Sequence, residues 1–559
     1  MCRAADAPAA GKQPPAAQPA NAKIDQAAKL VQQALKAEAA GKPAERDALL
    51  KQALAIAPDY APAHWQRGEV KSSTGWVSVD EAAKRDAHSA KLDEYRQLRD
   101  QAGVTVDEQL NLARWCEKAG LKEQQRAHLL FALDLDPGNK EATTKLGLVR
   151  YRGQLVPTAQ LDDIKAQVKQ SFAESNQWKQ QAAQWLQQWR EKPQTRDDIL
   201  KQIRAIRDPA AIPSLEKMLS NSGLEVGKAI VECLAAMPQQ AATESLLRFA
   251  VFSPYDEVAK TAIYALKSRS PYGYVPILLL ALKMPIQYQY DILNFSSYNF
   301  VHQLKLYQEE PDRNDLLVTY ENKTSLVGQA TSGLSRERAV GNTINKIEHI
   351  NQHAEEFNSV LADVLEQTTG QQLGSDPTAW WSWWLESNEF YEPPQKPDNI
   401  SSVTVRRAVS CFPAGTPVWT MSGPMQIENI KVGELVLAQD SRTSELAYKP
   451  VIGTTIRPPS ALIETKLGET VIRSTRGHPF WVSGIGWQMA KELKAGQWLH
   501  TARGMMQIDS AEPSDEAVCF NLVVADFHDY FVSGAKLLVH DNLLRGPTMA
   551  TVPGLADAK

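Results

Sequence analysis

Past residue 410 the hydrophobic period shortens from that of a helix to that of a strand, and this change restricts what the remaining quarter or so of the chain can become. LVLAQ (435–439), YKPVIGTTI (448–456), ALIETKL (461–467), ETVIRST (469–475) and NLVVADF (521–527) are short and rich in β-branched residues. Such segments suit a pleated, half-buried surface. Gly423-Pro424, Gly433-Glu434 and Leu467-Gly468 punctuate them as turns do. Residues 411–542 are therefore expected to form one all-β domain, which brings together segments far apart in the chain.

Certain residues of this stretch carry chemistry, and their order matters. Cys411 opens it in CFPAGTPVW, Thr475 and His478 sit midway in RSTRGHPFWV, His528 lies in DFHDYF, and His540-Asp541-Asn542 closes it. In this combination the stretch resembles the HINT domain, the self-processing fold shared by Hedgehog C-terminal domains, inteins and bacterial intein-like domains. The resemblance implies an N-to-S acyl shift at the scissile bond Ser410–Cys411. The Cys411 thiol, strongly nucleophilic near neutral pH, would attack the Ser410 carbonyl and turn an amide into a thioester. The departing nitrogen needs a proton, for which His478 is the candidate donor. Thr475 would hold the strained peptide or the developing oxyanion. His528 matches the family's position for an assisting histidine. At the far end Asn542 would cyclise onto its own carbonyl with help from His540.

The chain departs from the splicing pattern at that far end. Asp541 separates His540 from Asn542, Leu543 offers no nucleophile for a branched ester, and Asn521 stands where many inteins place an aspartate. Splicing is not expected. Cleavage, or transfer of the acyl group to a small nucleophile at the thioester, is expected instead. Residues 543–559 are too few for a released domain, so the expected cargo is the region upstream of Cys411. A second class of function stays open: a non-catalytic scaffold for protein–protein interaction carrying a degenerate HINT module. In that class Cys411 is a buried core cysteine and His478 caps the turn before Pro479.

Upstream, the pattern is helical and repetitive, giving an expected fold class of α-helical repeats followed by the all-β domain. Residues 1–23 are rich in Ala and Pro and are expected to be disordered. Residues 24–160 resemble tetratricopeptide-type helix pairs: AERDALLKQALAIAPDYAPAHWQRG and EQQRAHLLFALDLDPGNKEATTKLG are copies about 79 residues apart, running on into GWVSV and GQLVP. Residues 161–285 resemble HEAT-type repeats, a scaffold suited to a protein partner. Their Trp178, Trp185 and Trp189 are expected to pack on one face, and YVPILLLALKMP (274–285) to form a buried helix. Residues 286–335 are expected to hold a two-stranded hairpin. Residues 336–410 are expected to hold a helix, a tryptophan-rich segment (Trp380, Trp381, Trp383, Trp384) and a proline-stiffened linker.

Composition narrows the remaining classes. A net charge of -4 and no dense basic stripe argue against nucleic acid as a partner. The cysteines Cys2, Cys116, Cys233, Cys411 and Cys519 are scattered, which suggests neither a disulfide framework nor a zinc site. No cofactor or metal is expected, since no Walker loop, dinucleotide fingerprint, GxSxG or HExxH motif occurs upstream. No transmembrane segment is expected either. The Met1-Cys2 start is similar to the mature end of a bacterial lipoprotein that has lost its leader. The alternatives are thus a cytoplasmic protein or, with a leader missing, a secreted or lipid-anchored one.

Overall fold

The computed structural model describes residues 19–555 apart from 73–74, 87–89, 220–221, 297–298, 311–314, 327–329, 389–410, 543–547 and 549. It divides into two compact units. One combines Met1–Phe131 with Cys411–Asp541 and Ala550–Lys559; the other combines Ala132–Ser410 with Asn542–Met549. Most of the expected tail 1–23, and the proline-stiffened linker expected within 336–410, lie outside the described residues. The first helix, Pro19–Ala39, begins inside the segment expected to be disordered.

The internal duplication appears element by element. Helix Pro43–Ile56, the short helix Ala61–Trp65 and the strands Glu69–Ser72 and Gly75–Ser78 recur as Lys122–Leu135, Lys140–Lys145, Leu148–Tyr151 and Gln154–Pro157. Each copy therefore ends in a β-hairpin, where an all-helical repeat was expected. In each copy a pair of β-branched valines faces across the hairpin, Val70 opposite Val77 and Val149 opposite Val156, which favours strand pairing over another helical turn. Helix Val106–Ala119 shows how sequence sets a boundary. Thr105 and Glu108 form a reciprocal capping box at its start, and Gly120 takes a left-handed φ of 79° at its end.

In the first unit, the C-terminal stretch folds into a 13-stranded β network. The strand Leu446–Leu467 spans it, pairing with Leu435–Gln439, Thr470–Thr475 and Ser510–Val524. The hairpin Asp529–Val532/Leu537–His540 sets Asp529 opposite His540, and Val532 also pairs with Val418. Phe412, Val436, Phe480, Leu522, Tyr530 and Val539 lie in its core, each almost fully buried.

The second unit contains a row of paired helices that opens with the 31-residue Leu161–Glu191 and continues in short helices to Val275–Ala281. Their core includes Trp185, Ile203, Ile230, Leu246 and Leu279, and runs on without a break into Leu361, Leu365, Trp380, Trp381 and Trp384. The tryptophan-rich helix Pro377–Asn388 thus packs into the core of the helical repeats, and Trp384 lies 5.4 Å from Tyr272 between ring centres. Arg269 donates from Nη2 to the carbonyls of Leu234, Ala235 and Met237, closing the C-terminal end of helix Leu224–Ala235. Helix Val275–Ala281 is buried on one face only: Leu278 and Leu279 are enclosed, whereas Leu280 is 60% exposed. The expected hairpin is a three-stranded sheet, Gln287–Ser296, Asn299–Glu310 and Asp315–Leu326. Its first strand, QYQYDILNFS, was not expected, although Pro285 stands two residues before it. Helix Ala330–Thr369 begins earlier than the expected residue 336.

Candidate functional site

Strand pairing brings Cys411 to the middle of the chemistry-bearing stretch. Phe412 and Pro413 pair with Phe520 and Cys519 at one edge of strand Ser510–Val524. The neighbouring strand Thr470–Thr475 ends at Thr475, opposite Leu462. The Cys411 N–H donates to Thr475 Oγ1 at 3.0 Å. The Thr475 N–H returns a bond to the Cys411 carbonyl at 2.9 Å, and the His478 N–H donates to the Thr475 carbonyl at 3.0 Å, closing the turn. Cys411, Thr475 and His478 are all fully buried. The His478 ring lies 4.0 Å from that of Phe412 and 5.6 Å from that of Phe480, centre to centre, so aromatic walls fix its position. Ser410 lies outside the described residues.

A second cluster forms at the closing end. The Asp541 carboxylate accepts from the Val524 N–H at 2.9 Å and faces His528 Nδ1 at 3.2 Å. The Asp541 N–H donates to the His528 carbonyl at 2.9 Å. Hydrogen bonding to Asp541 raises the His528 pKa above that of a free imidazole; desolvation opposes this, and the Asp541 and Asp526 charges reinforce it. His540 Nδ1 lies 3.0 Å from the Asp541 carbonyl, and its ring packs edge-on against Trp487. Asn542 is fully buried. Five of the predicted residues therefore fall into two groups, Cys411–Thr475–His478 and His528–His540 around Asp541.

The inserted Asp541 thus organises the histidines that flank it, and sequence reading had counted it only as an interruption. Tyr530 was also missed. Its hydroxyl donates to Asn521 Oδ1 at 2.7 Å, and the same oxygen accepts the Leu522 N–H. Burial, with Cys411 and Asp541 nearby, drives the Tyr530 pKa well up, so it stays a hydrogen-bond donor. Asn521, read as a lost acid–base group, is therefore an acceptor that anchors a phenol in the site. The available signal was the spacing of Asn521 and Tyr530 in NLVVADFHDY, which becomes meaningful only once the two strands are placed. Asp529, whose Oδ1 accepts the Gln439 N–H at 2.9 Å, is likewise pushed well above the usual carboxylate range by burial.

His500, for which the sequence suggested no role, lies in a separate buried network. Its Nδ1 is 2.5 Å from Glu38 Oε1 and its Nε2 is 2.8 Å from Gln439 Oε1. Among the described residues, no group of three His, Cys, Asp or Glu side chains is placed to hold a metal. No helix among them is long and apolar enough to cross a membrane.

Two family models match parts of this chain. The family model described as the pretoxin HINT domain matches residues 418–542, beginning just past Ser410 and Cys411 and including Thr475, His478, His528, His540 and Asn542. The HEAT-repeat model matches residues 180–267. Among solved structures, the bacterial intein-like domain from Clostridium thermocellum is 35% identical, covering 23% of this chain and 98% of its own, with a TM-score of 0.23. The DnaB intein from Synechocystis is 17% identical, covering 24% and 99%, with a TM-score of 0.22. The gp41-1 intein is 23% identical, covering 24% and 98%, with a TM-score of 0.21. A search of curated proteins gave no match. Residues 418–542 are a HINT domain of the pretoxin type, and residues 180–267 of the helical region are HEAT repeats.

Proposed function

We propose that the HINT domain cleaves its own chain at Ser410–Cys411 through a thioester. The Cys411 sulfur attacks the Ser410 carbonyl carbon, forming a C–S bond as the C–N bond breaks. The proton lost from the thiol is balanced by the one gained at the departing Cys411 nitrogen, and His478 is the residue suited to deliver it. Water or a small nucleophile then attacks the thioester, and the Cys411 thiolate leaves.

One observation carries this proposal. The amide nitrogen that must depart is held by Thr475 Oγ1 in the same short turn that supplies His478. A bond fixed at its nitrogen loses little orientational freedom on the way to the tetrahedral intermediate. The Asp541-centred cluster is better suited to assisting Asn542 than to splicing, because Leu543 has no nucleophile.

Intact-mass measurement of wild type and Cys411→Ala, each with and without dithiothreitol, tests the proposal. A thiol-accelerated fragment ending at Ser410 is expected in wild type alone. An unbroken chain after prolonged incubation with thiol would overturn it.

A further inference from the structure

Processing at Cys411 would cut the chain where it re-enters a unit it has already helped to build. Residues up to Phe131 belong to the same compact unit as Cys411–Asp541. We infer that cleavage leaves the upstream product bound to the HINT domain as a non-covalent two-chain complex, with residues 19–131 as the docking segment. This rests on the proposed cleavage for its biological setting, while the docking surface stands on its own.

The surface has the character of a folded core. Glu38, fully buried, accepts from Arg46 Nε at 2.5 Å on its own side, and from Ser483 Oγ at 2.9 Å and His500 on the HINT side. Arg46 is itself 1% exposed and also reaches the Gln66 carbonyl at 2.7 Å. Separating the fragments would strip Glu38 of its Ser483 and His500 partners and open the buried Glu38–Arg46 pair to water. A second anchor joins Arg96 and Arg99 to Glu434, with Arg99 Nη1 at 2.7 Å from Oε1. The backbones approach closely as well: a Cβ on Gly484 would lie 2.5 Å from the Ala39 carbonyl oxygen.

Apolar packing crosses the same boundary. Val70, Val77 and Val79 share one core with Leu437, Trp481, Phe531 and Leu538. Residues 550–555 strengthen the junction, since Val552 packs with Ala27, Val31 and Leu50 while the Thr551 carbonyl accepts from the Gly484 N–H at 2.9 Å. The cut would free the Ser410 carboxyl end, or pass it to an acceptor, without dispersing the HINT domain. The expectation of a released cargo is thereby replaced by that of a retained one.

The test uses the full chain carrying Cys411→Ala, with a protease recognition sequence inserted between Pro397 and Asp398. After cutting, the two fragments are expected to co-elute one-to-one in native size exclusion and to separate only under denaturing conditions. Elution of the HINT fragment alone would overturn the inference. In the same background, Arg96→Glu with Arg99→Glu is expected to reduce co-elution at least tenfold, and undiminished co-elution would count against the assigned surface. Because this nick does not use Cys411, failure of thiol-triggered cleavage in wild type would sink the processing proposal and leave this result standing.

Discussion

Cys411 and Thr475, 64 positions apart, exchange hydrogen bonds in both directions: the Cys411 N–H donates to Thr475 Oγ1 at 3.0 Å, and the Thr475 N–H donates to the Cys411 carbonyl at 2.9 Å. The backbone half of this pairing survives any substitution of Thr475 except proline, while the side-chain half does not. Replacing Thr475 with Val therefore tests the hydroxyl alone at nearly constant volume. Loss of one buried hydrogen bond costs about 1–3 kcal/mol, so thiol-triggered cleavage is expected to slow by roughly ten- to a hundredfold. Single-turnover kinetics by intact mass would show it, and an unchanged rate would remove Thr475 from the mechanism.

Much of this site was legible in the sequence because its parts are local signals. The turn Thr475–His478 lies next to a Pro, and the β-branched strands around it alternate as half-buried strands do. What could not be read were pairings that depend on strand order. Asn521 and Tyr530 meet across the site, and Asp541 reaches back to Val524 and His528. No local pattern encodes those contacts. The same holds for His500 and Glu38, separated by 462 positions, each of which alone resembles an ordinary surface group. The duplicated hairpins were visible as GWVSV and GQLVP but too short to outweigh the strong helical period around them.

The Asp541–His528 contact predicts a pH signature. Because Asp541 raises the His528 pKa, the contact stabilises the fold fully below the pKa of a free imidazole, and this contribution is lost as pH rises through the raised folded value. Asp541→Asn is expected to bring the His528 titration midpoint down toward the free value. Following the His528 ring signals by NMR against pH in both proteins checks this. Identical midpoints would mean that the carboxylate does not set the charge of His528.

Glu38 should behave in the opposite sense. Desolvation would raise its pKa, but the charges of His500 and Arg46, with hydrogen bonds from His500 and Ser483, outweigh it and hold the group at about 2 instead of 4.5. A carboxylate lowered in this way stabilises the folded state above its unfolded pKa, and that stability is lost as pH falls from about 4.5 through about 2. A shift of this size corresponds to roughly 3 kcal/mol. Glu38→Gln is expected to lose stability of that order at neutral pH, partly because Arg46 remains buried without its partner. Hydrogen exchange of helix Pro19–Ala39 at neutral and acid pH reports it. The gap between wild type and variant should close on acidification.

Gly433 and Tyr95 offer the sharpest test of how the N-terminal helices fit the HINT domain. Gly433 sits at a φ of +88°, and a Cβ there would lie 1.7 Å from Tyr95 Oη and 3.0 Å from Cζ. Gly433→Ala therefore meets two separate penalties: about 1 kcal/mol for the left-handed backbone, and an overpacking cost of roughly 1–3 kcal/mol. Only the second involves Tyr95. Tyr95→Phe removes the offending oxygen and, on its own, costs about 1 kcal/mol through loss of the 2.8 Å bond to His128 Nε2. The double variant is expected to be more stable than the sum of the single losses predicts, with a coupling on the order of 1 kcal/mol. A double-mutant cycle by thermal unfolding measures this coupling directly. Strict additivity would show that Tyr95 moves aside freely and that the close approach at Gly433 does not hold the two segments in register.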